Sequence, residues 1–151
     1  MEVLIDAEHR AEDVAALPVG ELLRFAMRRE GCPENSEVSV SFVDDEAIAA
    51  LNEEWRGKKG PTDVLSFECD DPWGAVEGEE VVEVGDVVIA PDVVEAQRSK
   101  FGTSFEEEAS LMLVHSILHL LGYDHLEEEE AEAMEAKEKE ILDAYGLTGV
   151  R

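Results

Sequence analysis

A chain of 151 residues fits one ordinary domain and is too short to divide into two parts with separate cores. Hydrophobic residues make up 44% and mean hydropathy is -0.20, but the longest apolar run, Leu111 to Leu121, falls well short of the roughly 20 residues a bilayer core requires, so no membrane partner is expected. Against 12 basic residues stand 38 acidic ones, a net charge of -26; such a field repels polyanions, which argues against DNA as a partner and against any nucleic acid unless positive charge is concentrated locally.

Met1 to Glu8 lacks a basic region ahead of an apolar stretch, so no secretory signal is expected and the cytoplasm is the expected compartment. Glu2 to Ile5 suits an edge strand, followed by a polar loop through His9. Pro18 opens a helical pattern with Leu22, Phe25, Ala26 and Met27 on its stripe, closed by Gly31. Cys32 and Cys69 form no Cys-x-x-Cys pair, and reduced thiols are expected. Glu37 to Val43 alternates as a half-buried strand does. Asp44 or Asp45 can cap the next helix, which carries Ala47, Ile48, Leu51 and Trp55 at helical spacing and runs to Arg56. Val64 to Phe67 is a strand, Asp70 to Glu80 an acidic loop with Pro72, Gly74 and Gly78, and Glu83 to Ile89 a strongly apolar strand.

A helix is expected over Asp92 to Ser99, with Pro91 at or near its first turn. Ser104-Phe105-Glu106-Glu107 has the form of a capping box and announces a buried helix that stops at Gly122. A final helix, from about Glu127 to Tyr145, places Ala131, Met134, Ile141 and Tyr145 inward and its glutamates outward. Strands separated mostly by helices predict an α+β fold: a small mixed sheet of about four strands packed with about five α-helices, one domain over residues 1–151.

The chemistry concentrates in Val114-His115-Ser116-Ile117-Leu118-His119-Leu120-Leu121-Gly122-Tyr123-Asp124-His125. Residues four apart on a helix differ by about 40° around the axis, so His115 and His119 present their rings on one face. On a continuing helix His125 would lie about 15 Å further along, too far to share an ion whose bonds are about 2 Å. The helix must therefore end between them. Gly122 can take the left-handed conformation that turns the chain back and returns His125 to the same focus. Three imidazoles suit Zn²⁺ with a fourth position open to water, the catalytic arrangement. Asp124 can hold one of the rings in its tautomer. His9, alone in a polar loop, is given no such role.

The spacing H-x-x-x-H-x-x-G-x-x-H is also that of metzincin proteases, which need a glutamate base directly after the first histidine. Ser116 stands there, so a metzincin-like metalloprotease is the alternative rather than the first reading.

With Gly122-Tyr123-Asp124-His125 after the helix and no glutamate base, the segment resembles the YbeY family of bacterial endoribonucleases. Trp55-Arg56-Gly57-Lys58-Lys59-Gly60-Pro61-Thr62-Asp63-Val64-Leu65-Ser66-Phe67 is similar to that family's R-G-x-x-x-P-T-D-V-L-S-F motif. Gly85 to Ile89 and the order of elements fit as well, so the resemblance covers nearly the whole chain. It implies an α+β metalloprotein with one Zn²⁺ on His115, His119 and His125, and cleavage of single-stranded RNA in maturation of the 16S rRNA 3′ end and in ribosome quality control. It implies that Arg56 contributes to activity. A guanidinium fork can hold a phosphate bidentately; on the residues alone, that role and a cation closing the C-terminus of its own helix weigh about evenly for a helix-end arginine.

Arg56 and His115 are thus the expected catalytic residues, and Arg56, Lys58 and Lys59 the expected substrate contacts, in a stretch free of acids. The net charge of -26 opposes unaided RNA binding, and the resemblance implies docking on the ribosome or a ribosomal protein as a source of affinity. A non-enzymatic ribosome assembly factor braced by its metal is the other alternative.

Overall fold

In the computed structural model, which describes residues 1–74, 81–124, 126–148 and 150, the sheet is built by alternation. Strand β2 (Ser36–Phe42) buries Ser36, Val38, Val40 and Phe42 and leaves the residues between them half-exposed, as a pleat with a two-residue period requires. It pairs in parallel with β1 (Glu2–Ala7) on one side and β4 (Val82–Ile89) on the other, while β3 (Val64–Glu68) runs antiparallel along the far edge of β4. The order is β1-β2-β4-β3, a mixed sheet with both edges short.

Helices cover both faces. The main core lies between one face of the sheet and helices α2 (Val19–Arg29), α5 (Phe105–Leu120) and α6 (Glu128–Tyr145), with Leu23, Val40, Phe42, Ile117 and Ile141 fully enclosed. A smaller cluster of Val43, Ile48, Leu65, Val88 and Ala90 holds α3 (Asp45–Arg56) to the opposite side. Helix α4 (Pro91–Phe101), with proline at its first turn, leads back to α5. A 3₁₀ turn, Pro72–Gly74, precedes β4. Eleven residues of α5 are buried around its whole circumference, so it is the central helix of the fold rather than a surface one.

One glycine sets how closely α5 approaches the sheet. A Cβ on Gly85 in β4 would stand 2.4 Å from the carbonyl oxygen of Phe67 and 2.8 Å from Leu120 Cδ2. Beside it, β2 and β4 slip register between Glu37 and Val38, so a side chain is excluded where the C-terminal turn of α5 rests.

The expected class, strand count and order of elements hold. Six α-helices form among the described residues, because α1 (Ala11–Ala15) lies between the expected loop through His9 and the helix opened by Pro18, where no element was expected. Only Val14 of its five residues is buried, so there is no stripe to detect. Tertiary contacts support it instead: Arg10 bonds to Asp13 and reaches across to the Pro91 carbonyl. Two orientations also differ. Trp55 was expected on the inward stripe of α3 but is 64% exposed, since the core under α3 accepts Ile48 and Asn52 and ends before the last turn. Glu138 was expected outward with the other glutamates of α6 but is buried. Gly78 of the acidic loop lies outside the described residues.

Candidate active site

Helix α5 begins where the sequence places it. The Ser104 hydroxyl accepts from the Glu107 amide at 3.0 Å, and the Glu107 carboxylate accepts from the Ser104 amide at 2.8 Å, satisfying two amides that the first turn leaves without partners. Three turns on, His115 and His119 stand side by side with ring centroids 5.3 Å apart and planes nearly perpendicular. Both line a cleft of about 810 Å³ bounded by α3, β3, α5 and α6.

The helix ends at Leu120, and Gly122 follows with φ 107°. Three contacts hold this turn: the Tyr123 amide donates to the Leu118 carbonyl, the Tyr123 hydroxyl donates to Glu30 at 2.7 Å, and Trp73 Nε1 donates to the Leu121 carbonyl at 3.0 Å. Burial, with the Glu30 carboxylate as acceptor, pushes the Tyr123 phenol up to about 12, so it remains a donor throughout the neutral range. Asp124, next in the chain, lines the cleft. His125, the expected third ligand, lies outside the described residues, and among the described residues no group of three candidate ligands is assembled.

The contact that sequence reasoning missed is Glu138. From α6 its carboxylate meets His115 Nδ1 at 2.5 Å, with the Glu138 side chain 10% exposed. With the carboxylate as acceptor, Nδ1 is the donor, the arrangement of histidines that bind metals through one nitrogen and are held by a carboxylate through the other. A signal was present: Glu138 follows Met134 by four residues and precedes Ile141 by three, so it falls on the same buried stripe as both. Paired imidazoles fit a zinc-type ion, whose preferred donors are nitrogen and sulfur. His115 and His119 are the described residues that could hold one.

The opposite wall comes from the Trp55 to Phe67 stretch. Helix α3, capped by Asp44 accepting from the Ala47 amide, ends at Arg56, with Gly57 in the left-handed conformation. Asn52, nearly buried, donates to the Gly60 carbonyl at 2.9 Å and accepts from the Lys58 amide, winding the following loop back onto the helix. Asp63 then starts β3: its carboxylate accepts from the Val64 amide and from Gln97, and its carbonyl accepts from the Ala90 amide. Arg56 therefore lines the same cleft as His115 and His119, across from α5 and α6. The arginine ion pairs among the described residues belong to Arg10, Arg28, Arg29 and Arg98, so Arg56 has no ion-pair partner among the described residues. Lys58 and Lys59 are exposed on the loop beyond and do not line the cleft.

Ser116 is fully buried and bonds to Ser66 of β3. It tethers α5 to the sheet and does not line the cleft, so the position where a metzincin carries its base faces away from any substrate here.

Known proteins resemble this chain over most of its length. The sequence model of the family described as Endoribonuclease YbeY matches residues 5–146. Endoribonuclease YbeY of Bacillus velezensis is 41% identical over 160 residues, covering 98% of this chain and 99% of that protein. The protein of that name from Pelotomaculum thermopropionicum is 46% identical over 122 residues, covering 81% of this chain and 80% of its own. The solution structure of TM1509 from Thermotoga maritima superposes with a TM-score of 0.61 at 27% identity, covering 95% of this chain and 91% of the other.

Proposed function

This chain belongs to the YbeY family of endoribonucleases, hydrolases of RNA phosphodiester bonds, and we propose that it is a zinc-dependent, single-strand-specific member acting in the cytoplasm. Its proposed substrate is ribosomal RNA, at 16S 3′-end maturation and in ribosome quality control, reached by docking on the ribosome or a ribosomal protein. The observation that supports the site assignment is the shared cleft, which His115, His119 and Arg56 all line, Arg56 having no ion-pair partner among the described residues. An arginine so placed is suited to an anion supplied from outside.

We assign the ion to His115, His119 and His125. When bound, Zn²⁺ supplies Lewis acidity that polarises a phosphoryl oxygen and lowers the pKa of a water molecule. Every other contribution comes from the chain. Glu138 keeps the His115 proton on Nδ1 and fixes the ring's direction. Arg56 offers two parallel N–H donors to the non-bridging phosphate oxygens and stabilises the charge that accumulates as phosphorus becomes five-coordinate. Lys58 and Lys59, on the adjoining loop, attract the flanking backbone.

The test pairs metal analysis with digestion of an unstructured RNA. The parent should hold one zinc and cut. His119→Ala should lose both metal and cleavage. Arg56→Ala should keep metal and fold while cleavage falls by about 10²–10³-fold, the usual cost of removing one charge-stabilising donor. An Arg56→Ala enzyme as fast as its parent would remove the assigned role.

A further inference from the structure

Trp55 is 64% exposed although it belongs to one of the largest apolar side chains. An indole that exposed has at least one ring face open to solvent, because the two faces make up most of its area. Its only ring partner among the described residues is Phe67, edge-to-face at 6.1 Å with planes inclined at 73°. Both rings line the cleft, next in sequence to Arg56 on one side and to Ser66 on the other. The helix does not need this indole for packing: the core under α3 is closed by Ile48 and Leu65. Phe67 limits the rotamers of Trp55, so a flat aromatic surface is held one residue from the phosphate-suited guanidinium.

We propose that Trp55, steadied by Phe67, forms a nucleobase-stacking subsite, in which the base adjoining the phosphate at Arg56 lies against the indole face. The inference rests on the reading of this cleft as the RNA site and goes beyond it by naming what holds the substrate. The charge of the chain motivates it. At a net charge of -26, long-range attraction of a polyanion is weak, and the acid-free stretch supplies only Arg56, Lys58 and Lys59. Stacking contributes affinity without charge and tolerates any base, because every base has a π face. It also selects single strands: bases in a duplex are already stacked on their neighbours, whereas those of a single strand can be splayed onto a protein ring.

The test measures binding of the zinc-loaded full chain to a short unstructured RNA and to a matching ribose-phosphate strand with its central bases removed. Trp55→Ala should weaken binding of the intact RNA by about tenfold, raise KM more than it lowers kcat, and leave affinity for the abasic strand unchanged. Trp55→Phe should recover most of the loss. Equal affinity of parent and Trp55→Ala for intact RNA would overturn the proposal, and so would equal losses on both strands, which would mark a general structural effect. A second measurement does not depend on folding of the alanine variant. The emission difference between the parent and Trp55→Phe isolates the Trp55 contribution from that of Trp73, the other indole in the chain, and this component should be quenched by intact RNA and not by the abasic strand. Equal quenching by the two, or none by either, would sink the subsite. Failure of the parent to cut RNA would instead count against the assignment of the cleft, which keeps the two outcomes apart.

Discussion

Substitution of Glu138 tests how a buried carboxylate on one helix tunes a histidine on another. The bond from His115 Nδ1 is 2.5 Å long and the Glu138 side chain is 10% exposed, so water competes poorly for the carboxylate. A hydrogen bond to a charged partner in such a place is worth about 1.5–3 kcal/mol. Loss of a carboxylate behind a metal-binding histidine commonly costs about 10–100-fold in metal affinity, which is about 1.4–2.8 kcal/mol, so the two routes agree. Glu138→Ala should therefore weaken zinc binding by about 10–100-fold. Glu138→Gln, whose amide oxygen can still accept from Nδ1, should weaken it by less. Global stability should move little in the glutamine variant, because relief of carboxylate desolvation offsets part of the lost bond. Competition against a chromophoric chelator gives the affinity. Nitrogen-detected imidazole spectra of the metal-free protein give the tautomer, which should be Nδ1–H in the parent and mixed in Glu138→Ala. Affinities within twofold of the parent in both variants, with an unchanged tautomer, would refute the role given to Glu138.

Gly85→Ala should lower stability by roughly 1–3 kcal/mol, or about 3–10 °C in Tm by thermal melting, because the new methyl group collides with backbone at Phe67 and with Leu120; an unchanged melt would mean that α5 is not seated as described. Ser104→Ala removes one half of the capping box of α5 and should cost about 1 kcal/mol in denaturant unfolding, with Ser104→Asp recovering most of it. Alkaline pH should destabilise the fold. Burial, reinforced by Glu30, pushes the Cys32 thiol from 9.0 up to about 11, so its contribution is fully present below pH 9 and is lost as pH rises through 11. Cys32→Ala should flatten that part of the stability profile relative to the parent, and identical profiles would contradict the assignment.

Much of the architecture is legible in the residues because it depends on local patterns. Alternation across Ser36 to Phe42, the capping box at Ser104 and the left-handed glycines at Gly57 and Gly122 each act within a few residues of themselves. The pairing of His115 with His119 belongs to the same class, since helical geometry alone brings those rings together. Helix α1 escaped because five residues with one buried side chain have no period to detect. Trp55 was misplaced because spacing reports which side of a helix a residue occupies, not how far along that side the core extends.

The sequence alone carried the helix, its imidazole pair and the stretch around Arg56, because each is set by contacts between near neighbours or by a motif that can be matched without coordinates. Only the tertiary structure placed Arg56 opposite the histidines, turned Ser116 into a tether to Ser66, and brought Glu138 to His115 across 23 residues of chain. The physical reason is that these three placements join elements distant in the chain, and how those elements meet depends on sheet order, on register and on the close approach allowed by Gly85.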